Sequence, residues 1–420
     1  MSKSEFLAAI TACTSPHPHS TSVASPGLNR SQVQASFVRT YLPTGSRHYP
    51  QFEWLYWVAP QSRALTAAID TWCLSELGRR TSDDRVIHAA RSAHAQALGM
   101  MAAELNVPGS ERETGYQVGA MYVLQVCDFF TAINRGCDGL RWRMHSRATL
   151  QLLERARAQD STIGILAVTD WNCRFFLLWD ALLSRKRINS LMLLNAQPAL
   201  PSVECLATLS SMSFRVPGVL EACDVFCRQA HRQSLDMQSA KDISTDVLIL
   251  ETELHAWLAR RYQQSPAFKP RKVNTEHACF PTFNSASTTF SYVLDFADHA
   301  SALSHQAYWL CLLELAGARL RLIRRCHTSN QTDGTVESIL ENDLKQQQDY
   351  YSDSLCMSLS FLRKATHGTW ALLAAVGPLY FASLHYMRKG MMDKLRWCAR
   401  AAVELEQHGI RTPFDRSQAG

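Results

Sequence analysis

The sequence lacks the short motifs that mark the familiar catalytic sites. It contains no G-x-S-x-G nucleophile elbow, no G-x-x-x-x-G-K-[ST] phosphate loop, no G-x-G-x-x-G dinucleotide fingerprint and no H-E-x-x-H zinc motif. None of its thirteen cysteines forms a C-x2-C pair. We therefore expect no catalytic residue, no cofactor and no metal site, and we predict that the protein is not an enzyme.

A disulfide framework and a secretion signal are also missing. The cysteines are odd in number, and most of them stand in apolar runs, which is typical of reduced core thiols in an intracellular protein. The N-terminus has no cationic stretch followed by an apolar one. Residues 1–35 are rich in Ser, Thr and Pro and poor in large apolar residues, so we predict a flexible tail there. His17 and His19 in that tail are interpreted as incidental.

Proline, the strongest helix breaker, is scarce along most of the remaining chain. None occurs between Pro108 and Pro198, or between Pro281 and Pro378. Alternation suited to strands is hard to find, whereas apolar residues recur at the three-and-four spacing of helices. The sequence predicts an all-α fold, a large multi-helix array over residues 36–420, with a hinge near 263–283 if the array has two halves. Predicted helices include 62–77, 203–213, 216–235, 243–263, 288–326, 335–350 and 353–366.

One stretch has no charged residue over a length that could cross a bilayer, from Thr369 to Met387. Ser383, His385 and the mid-helix Pro378 would be costly in lipid, and neighbouring helices could satisfy them more readily. The amphipathic stretch 391–405 that follows could cover an apolar helix. We therefore predict a buried helix in a helical protein and no membrane segment.

Two sequence patterns resemble a metal site or a magnesium-diphosphate site, but each lacks a required ligand or the required spacing. Cys223, Cys227 and His231 share a helical face, but eight residues of helix span roughly 12 Å, too far for one zinc ion. Buried thiols are the favoured interpretation. A magnesium-diphosphate site of the terpene-cyclase kind needs paired acidic motifs. Asp83-Asp84 lacks the further acid, and Asn342-Asp343 is followed by Gln346 and Tyr350 where a hydroxyl and a carboxylate are required.

Basic residues cluster at 185–187 and at 318–325. These clusters could contact phosphate or an import receptor. Each also lies near the end of a predicted helix, where cations complement exposed carbonyl groups, and this interpretation is favoured. The formal net charge of +6 and the pI near 8.7 do not require a nucleic-acid partner.

Several loose motifs recur in a characteristic order. They are Phe37-x-x-x-Tyr41-x-Pro43 with Trp54-Leu55; Leu77-Gly78-Arg79 with Asp84 and Ala97-Leu98; Trp142-Arg-Met-His145 with Ala148-Thr-Leu150; Arg174 with Leu183-x-Arg185-Lys186; and Gly377-Pro378-Leu379-Tyr380-Phe381 with Met387-Arg388 and Trp397. Together they resemble the regulatory middle homology region of fungal-specific zinc-cluster transcription factors. The resemblance covers most of residues 37–409, and it rests on the shared order and spacing of the motifs.

The resemblance implies a helical regulatory domain, and one departure qualifies it. Members of the family usually begin with six cysteines that hold two zinc ions, whereas the first 70 residues here contain only Cys13. This absence argues against direct, sequence-specific DNA binding. Trp142, His145, Arg174 and Pro378 are the positions that match the family pattern, and a packing role is favoured for each.

Two function hypotheses follow. The preferred one is a transcriptional regulator of the nucleus without a zinc cluster of its own, controlling a fungal secondary-metabolite gene cluster. Its expected partners are other transcription regulators or a DNA-binding partner, and a small-molecule inducer. The alternative is a helical enzyme or accessory binding protein of a biosynthetic pathway. A deep pocket with paired carboxylates would favour the alternative, and a closed apolar core with an exposed patch would favour the regulator.

Overall fold

A computed structural model describes ten segments of the chain: 61–105, 111–129, 142–158, 174, 176–188, 208–229, 237–278, 289–327, 335–364 and 368–412. Helices dominate these segments, and the strands within them form one two-stranded sheet, so the predicted all-α class is confirmed. The predicted tail at 1–35 and the motif at 37–55 lie outside the described residues.

Twelve helices and two strands have complete bounds. The helices are α1 (Arg63–Thr81), α2 (Asp84–Glu104), α3 (Glu111–Cys127), α4 (Trp142–Ala158), α5 (Val216–Gln229), α6 (Met237–Gln264), α7 (His299–His327), α8 (Thr335–Met357), α9 (Leu359–Leu362), α10 (Gly368–Leu373), α11 (Val376–Lys389) and α12 (Met392–Gln407). The strands are β1 (Arg271–Asn274) and β2 (Tyr292–Asp295), and short 3-10 turns stand at Pro266–Phe268 and Thr275–His277. Helical turns also cover 176–184 and 208–213.

The chain divides into two compact units. Unit 1 comprises Met1–Leu177, Ala365–Leu373 and Val403–Pro413, and unit 2 comprises Leu178–Lys364, Ala374–Ala402 and Phe414–Gly420. The predicted hinge at 263–283 lies within the sequence of unit 2.

Unit 1 begins with the helix pair α1 and α2, whose ends are set by local side chains. The Ser62 hydroxyl accepts a hydrogen bond from the Leu65 amide at 3.2 Å and caps α1. The Asp83 carboxylate accepts one from the Arg85 amide at 2.9 Å and caps α2. The two helices approach closely, because a Cβ on Gly78 would lie 2.7 Å from Ile87 Cγ1. The helix predicted over 62–77 is present, and it ends four residues later than predicted, at Thr81.

Unit 2 is built around α7, which packs against α5, α6 and α8. Ten consecutive residues of α7 are buried, from Ser304 to Leu313. Consecutive burial means that neighbours cover this helix on every side, which explains why its apolar residues form no single stripe.

The prediction of a helix over 288–326 is wrong at its start. Residues 292–295 form β2, which pairs antiparallel with β1 so that Arg271 lies opposite Asp295. The helix begins only after Asp298, whose carboxylate accepts a hydrogen bond from the Ser301 amide at 2.7 Å. The tripeptide from Tyr292 to Leu294 is aromatic and branched, which suits a strand once a partner is present.

The boundary predicted between 350 and 353 is also wrong, because α8 continues to Met357. Asp353 lies inside this helix, and its carboxylate accepts hydrogen bonds from Tyr386 at 2.8 Å and Lys394 at 2.6 Å. These partners lie more than 30 positions away in the sequence. The residues around Asp353 therefore did not indicate that the helix continues past 350.

The apolar stretch Thr369–Met387 was predicted as one buried helix and instead forms α10 and α11. Pro378 is the third residue of α11, where its missing N–H is one that a first turn leaves without a helical partner. A continuous helix would require that N–H and would press the proline ring against the carbonyl of Ala374. No helix in the described segments is long and apolar enough to cross a membrane.

Candidate functional site

Trp142 belongs to a buried three-ring cluster in unit 1. It begins α4, and its ring stacks on Phe129 with centroids 5.6 Å apart. Phe176 completes the cluster, at 5.2 Å from Phe129 and 6.0 Å from Trp142. Arg174, two residues before Phe176, is itself buried. One family-pattern position therefore belongs to an aromatic cluster, and a second is buried two residues along the chain from another member of that cluster.

His145, one helical turn after Trp142, forms a buried pair with Asp128. His145 Nδ1 lies 2.6 Å from Asp128 Oδ2, and the two side chains are 5% and 0% exposed. Beside them, Gln125 Nε2 donates a hydrogen bond of 2.7 Å to the Ser146 hydroxyl. A buried carboxylate is tolerated only with such a partner. The pair holds the imidazole in one orientation and ties α4 to the end of α3.

Sequence reasoning missed this pair, although one half of it was visible. Asp128 is the only charged residue in the apolar span 116–133. An isolated acid in such a span indicates a buried partner. Which residue supplies it could not be read from the sequence, because His145 lies 17 positions away on another helix.

Pro378, the fourth family-pattern position, lies in unit 2 at the start of α11. The preceding Gly377 packs against Trp179, where a Cβ would come within 2.3 Å of the indole carbon Cε2. Gly377 thus allows close packing at the start of the helix, and Pro378 occupies a first-turn position that needs no N–H donor.

Further along α11, Asp349 and Asp353 of α8 contact side chains of the helix. Asp349 Oδ1 lies 2.9 Å from His385 Nε2, and its other oxygen accepts a hydrogen bond from Lys389. Burial would raise the pKa of Asp349, but the hydrogen bonds from Lys389 and His385 lower it overall. Burial lowers the pKa of His385 in spite of the Asp349 carboxylate. These groups are occupied in holding helices together.

Two buried thiols lie next to these contacts. Cys356 Sγ and Cys398 Sγ are 4.0 Å apart, and the Tyr386 hydroxyl lies 3.7 Å from Cys356 Sγ. Burial raises the pKa of the Cys398 thiol well above its usual value. A thiol that stays protonated is a poor nucleophile and a poor metal ligand, so this pair is part of the core.

Arg185 occupies a backbone conformation that normally requires glycine. Its φ is +50°, in the left-handed region. The Lys186 amide donates to the Ala181 carbonyl at 3.2 Å and the Arg185 amide to the Leu182 carbonyl at 3.3 Å, which is the Schellman ending of a helix. The residue in its left-handed position is usually glycine, so an arginine here needs a compensating role for its side chain.

That compensation comes from two acids on different helices. Arg185 Nε donates to Asp224 on α5 at 2.6 Å, and Nη1 donates to Glu314 on α7 at 2.7 Å. Arg321 Nη2 lies 3.6 Å from the other oxygen of Asp224. Burial would lower the pKa of Arg185, but the two carboxylates raise it overall. Arg185 thus joins the end of segment 176–184 to α5 and α7.

A cleft of about 360 Å³ opens beside this corner, and we call it the Arg185 cleft. Its lining joins the end of segment 176–184 to one face of α5, and includes Ser184, Arg185, Lys186, Glu221, Asp224, Cys227 and Arg228. This set brings together residues of the 185–187 basic cluster and one cysteine of the Cys223–Cys227–His231 pattern. These two patterns of the sequence meet in the cleft lining, and Arg321 of the 318–325 run reaches Asp224 in the same lining.

The remaining members of those patterns have structural partners. Cys223 is buried, its thiol donates to the Ala318 carbonyl at 3.6 Å, and burial raises its pKa to about 11. In the 318–325 run, Arg319 pairs with Glu251 at 2.8 Å and Arg324 with Glu341 at 3.4 Å. His231 lies outside the described residues.

The described segments contain no set of side chains assembled to hold a metal ion or a magnesium-diphosphate group. No group of three or more His, Cys, Asp or Glu side chains there is arranged to hold a metal ion. Asp83 caps α2 in unit 1, whereas Asp343 is exposed on α8 in unit 2.

Comparison of the chain with family models, with curated proteins and with solved structures gives no match. The resemblance to the regulatory region of fungal transcription factors therefore rests on the sequence motifs alone.

Proposed function

We propose that this chain is a transcriptional regulator of the nucleus that has no zinc cluster of its own. It reaches promoters through a DNA-binding partner and controls genes of a fungal metabolic pathway. The observation that carries the proposal is burial in unit 1: Trp142, His145 and Arg174 all lie in its core, although they are up to 32 positions apart in the sequence. Positions that match a family pattern by accident need not occupy the core.

The glycines of the matching motifs support the same proposal. Gly78 of the Leu77-Gly78-Arg79 motif stands where α1 meets Ile87 of α2, and Gly377 stands where α11 meets Trp179. Arg79 of the first motif pairs with the buried Glu76 at 2.7 Å. Each motif therefore supplies a residue that its own unit requires for close packing, as expected of a fold signature.

The acidic side chains are paired with other side chains of the protein, which fits a regulatory binding protein better than an enzyme. Asp128, Asp349, Asp353 and Glu314 each hold a hydrogen bond or an ion pair with a neighbouring side chain. A general acid or base has to face a substrate, and these carboxylates face other parts of the protein. The proposal accordingly assigns no catalytic residue.

A tethered reporter assay tests the regulatory role separately from DNA binding. The full chain is fused to an unrelated DNA-binding module, and transcription is measured from a reporter that carries the matching site. We expect a change of several-fold relative to the module alone. An Asp128→Ala fusion, whose unit 1 should be strongly destabilised, is the matched control and should reduce the effect.

No change in reporter transcription with the folded fusion, together with exclusion of the tagged chain from purified nuclei, would contradict the proposal. A biosynthetic role would then be the better hypothesis.

A further inference from the structure

The charged groups of the Arg185 cleft are unevenly satisfied. Asp224 already interacts with Arg185 at 2.6 Å and with Arg321 at 3.6 Å. Glu221 accepts a hydrogen bond of 3.0 Å from the backbone amide of Arg187. The lining thus contains two acids that are engaged by groups of the protein.

Two cations of the same lining differ from these acids. Lys186 is exposed, and it forms no ion pair with a described residue. Arg228 donates from Nε to the Asp224 carbonyl at 3.2 Å, which leaves its terminal nitrogens without a hydrogen bond to the described part of the chain. The cleft therefore offers positive hydrogen-bond donors in excess of acceptors.

Both cations start from a fixed backbone. The Schellman ending holds the Lys186 amide against the Ala181 carbonyl, and Arg228 lies within α5, one turn after Asp224. With the backbone already fixed, only the two side chains have to lose freedom when a ligand binds. A guanidinium fork beside an ammonium group matches the geometry of a carboxylate or a phosphate.

We propose that the Arg185 cleft binds a small oxyanion, of the carboxylate or phosphate-ester class, between Lys186 and Arg228. The cleft, of about 360 Å³, has room for a small metabolite. This binding does not depend on the regulatory role, because it is a property of the purified chain.

A rival explanation for the two cations is helix capping. Lys186 follows the end of segment 176–184, and Arg228 lies in the last turn of α5, so both face the partial negative charge of helix ends. The two explanations separate experimentally. Capping changes the stability of the protein alone, whereas a ligand site changes the affinity for an added anion.

Isothermal titration of the purified full-length chain tests the proposal. Inorganic phosphate and citrate are titrated separately at constant ionic strength, against wild type, Lys186→Gln and Arg228→Gln. Because each substitution removes a charge-assisted hydrogen bond to the anion, it should weaken binding by roughly tenfold or more. Lys241→Gln on the exposed surface of α6 removes the same charge elsewhere and should leave the affinity unchanged.

The two probes distinguish the sources of the ligand chemistry. Preference for phosphate indicates a phosphate ester, and preference for citrate indicates a carboxylate. Absence of binding by both probes would overturn the proposal. So would equal weakening by Lys241→Gln, or binding that neither cleft substitution affects.

Discussion

Unit 1 has one acid–base pair buried in its core, whereas the ion pairs between described residues of unit 2 are partly exposed to solvent. The side chains of Asp128 and His145 are 0% and 5% exposed. In unit 2, Asp349, Asp353 and Asp224 remain 26–27% exposed. Breaking a buried pair leaves an uncompensated charge in the core, whereas solvent compensates a broken surface pair. The first unit should therefore be vulnerable at one point, and the second should lose stability in small steps.

The largest expected effect comes from breaking the buried pair on the acid side. Asp128→Ala should lower the free energy of unfolding by about 3–5 kcal/mol, because His145 loses its buried partner. Urea denaturation followed by circular dichroism measures this. The double variant Asp128→Ala/His145→Ala should cost less than the sum of the two single variants. Additive losses would show that the two side chains do not interact.

Acid should destabilise unit 2 through a buried imidazole. His305 lies between Tyr262, whose hydroxyl is 3.0 Å from Nε2, and the Ser301 carbonyl, 2.7 Å from Nδ1. Burial lowers the pKa of His305 to about 4, against about 6.5 for a free histidine. The unfolded chain therefore binds the proton more tightly, so stability is complete above about pH 6.5 and is lost as the pH falls towards 4. The loss amounts to about 3 kcal/mol.

Denaturation curves collected between pH 7 and pH 4 check this expectation. His305→Phe removes the titrating group, and its stability should depend less steeply on pH than that of wild type. An unchanged slope in the variant would assign the acid sensitivity to other groups, among them His255 and His385, whose pKa values burial also lowers.

The close approach of α11 to Trp179 provides a packing test in unit 2. Gly377→Ala should destabilise by about 2 kcal/mol, because its Cβ would lie 2.3 Å from an indole that is itself only 3% exposed. Gly99→Ala is the matched control, since nothing lies within 4 Å of its Cβ. That control should gain about 0.5–1 kcal/mol from the better helix propensity of alanine. Equal effects of the two variants on the thermal midpoint would refute the crowding.

The smallest expected effect separates backbone strain from ion pairing at Arg185. Both Arg185→Ala and Arg185→Gly remove the contacts to Asp224 and Glu314, but only glycine relieves the left-handed conformation. The glycine variant should therefore be more stable than the alanine variant by about 1 kcal/mol. Alanine equal to or better than glycine in urea denaturation would contradict the assigned conformation.

The sequence was enough to predict that most helices form. Where they begin and end depended on contacts with distant parts of the chain. The spacing of Leu65, Trp72 and Cys73 predicted α1 correctly, since all three are buried. The start of α7 was missed because β2 forms only when β1 is opposite, a contact between residues 18 to 24 positions apart. The break between α10 and α11 could have been predicted from Pro378 alone, because a proline is readily accommodated only in the first turn of a helix.

The sites were harder to predict than the fold. The solitary Asp128 indicated a buried partner, but its identity required the packing of α3 against α4. The 185–187 cluster was expected to complement a helix end, and its backbone does form such an ending. The ion pairs of Arg185 depend on α5 and α7, 39 and 129 positions away. Local patterns carry no information about such partners.

Chromatin immunoprecipitation of a tagged copy, expressed from its own locus, tests the proposed regulatory role most directly. The account predicts enrichment at a restricted set of promoters, and loss of that enrichment in the Asp128→Ala variant. It also predicts that the enrichment depends on a partner that reads DNA. Absence of enrichment, with the folded protein found outside the nucleus, would contradict the account and favour a role in a biosynthetic pathway.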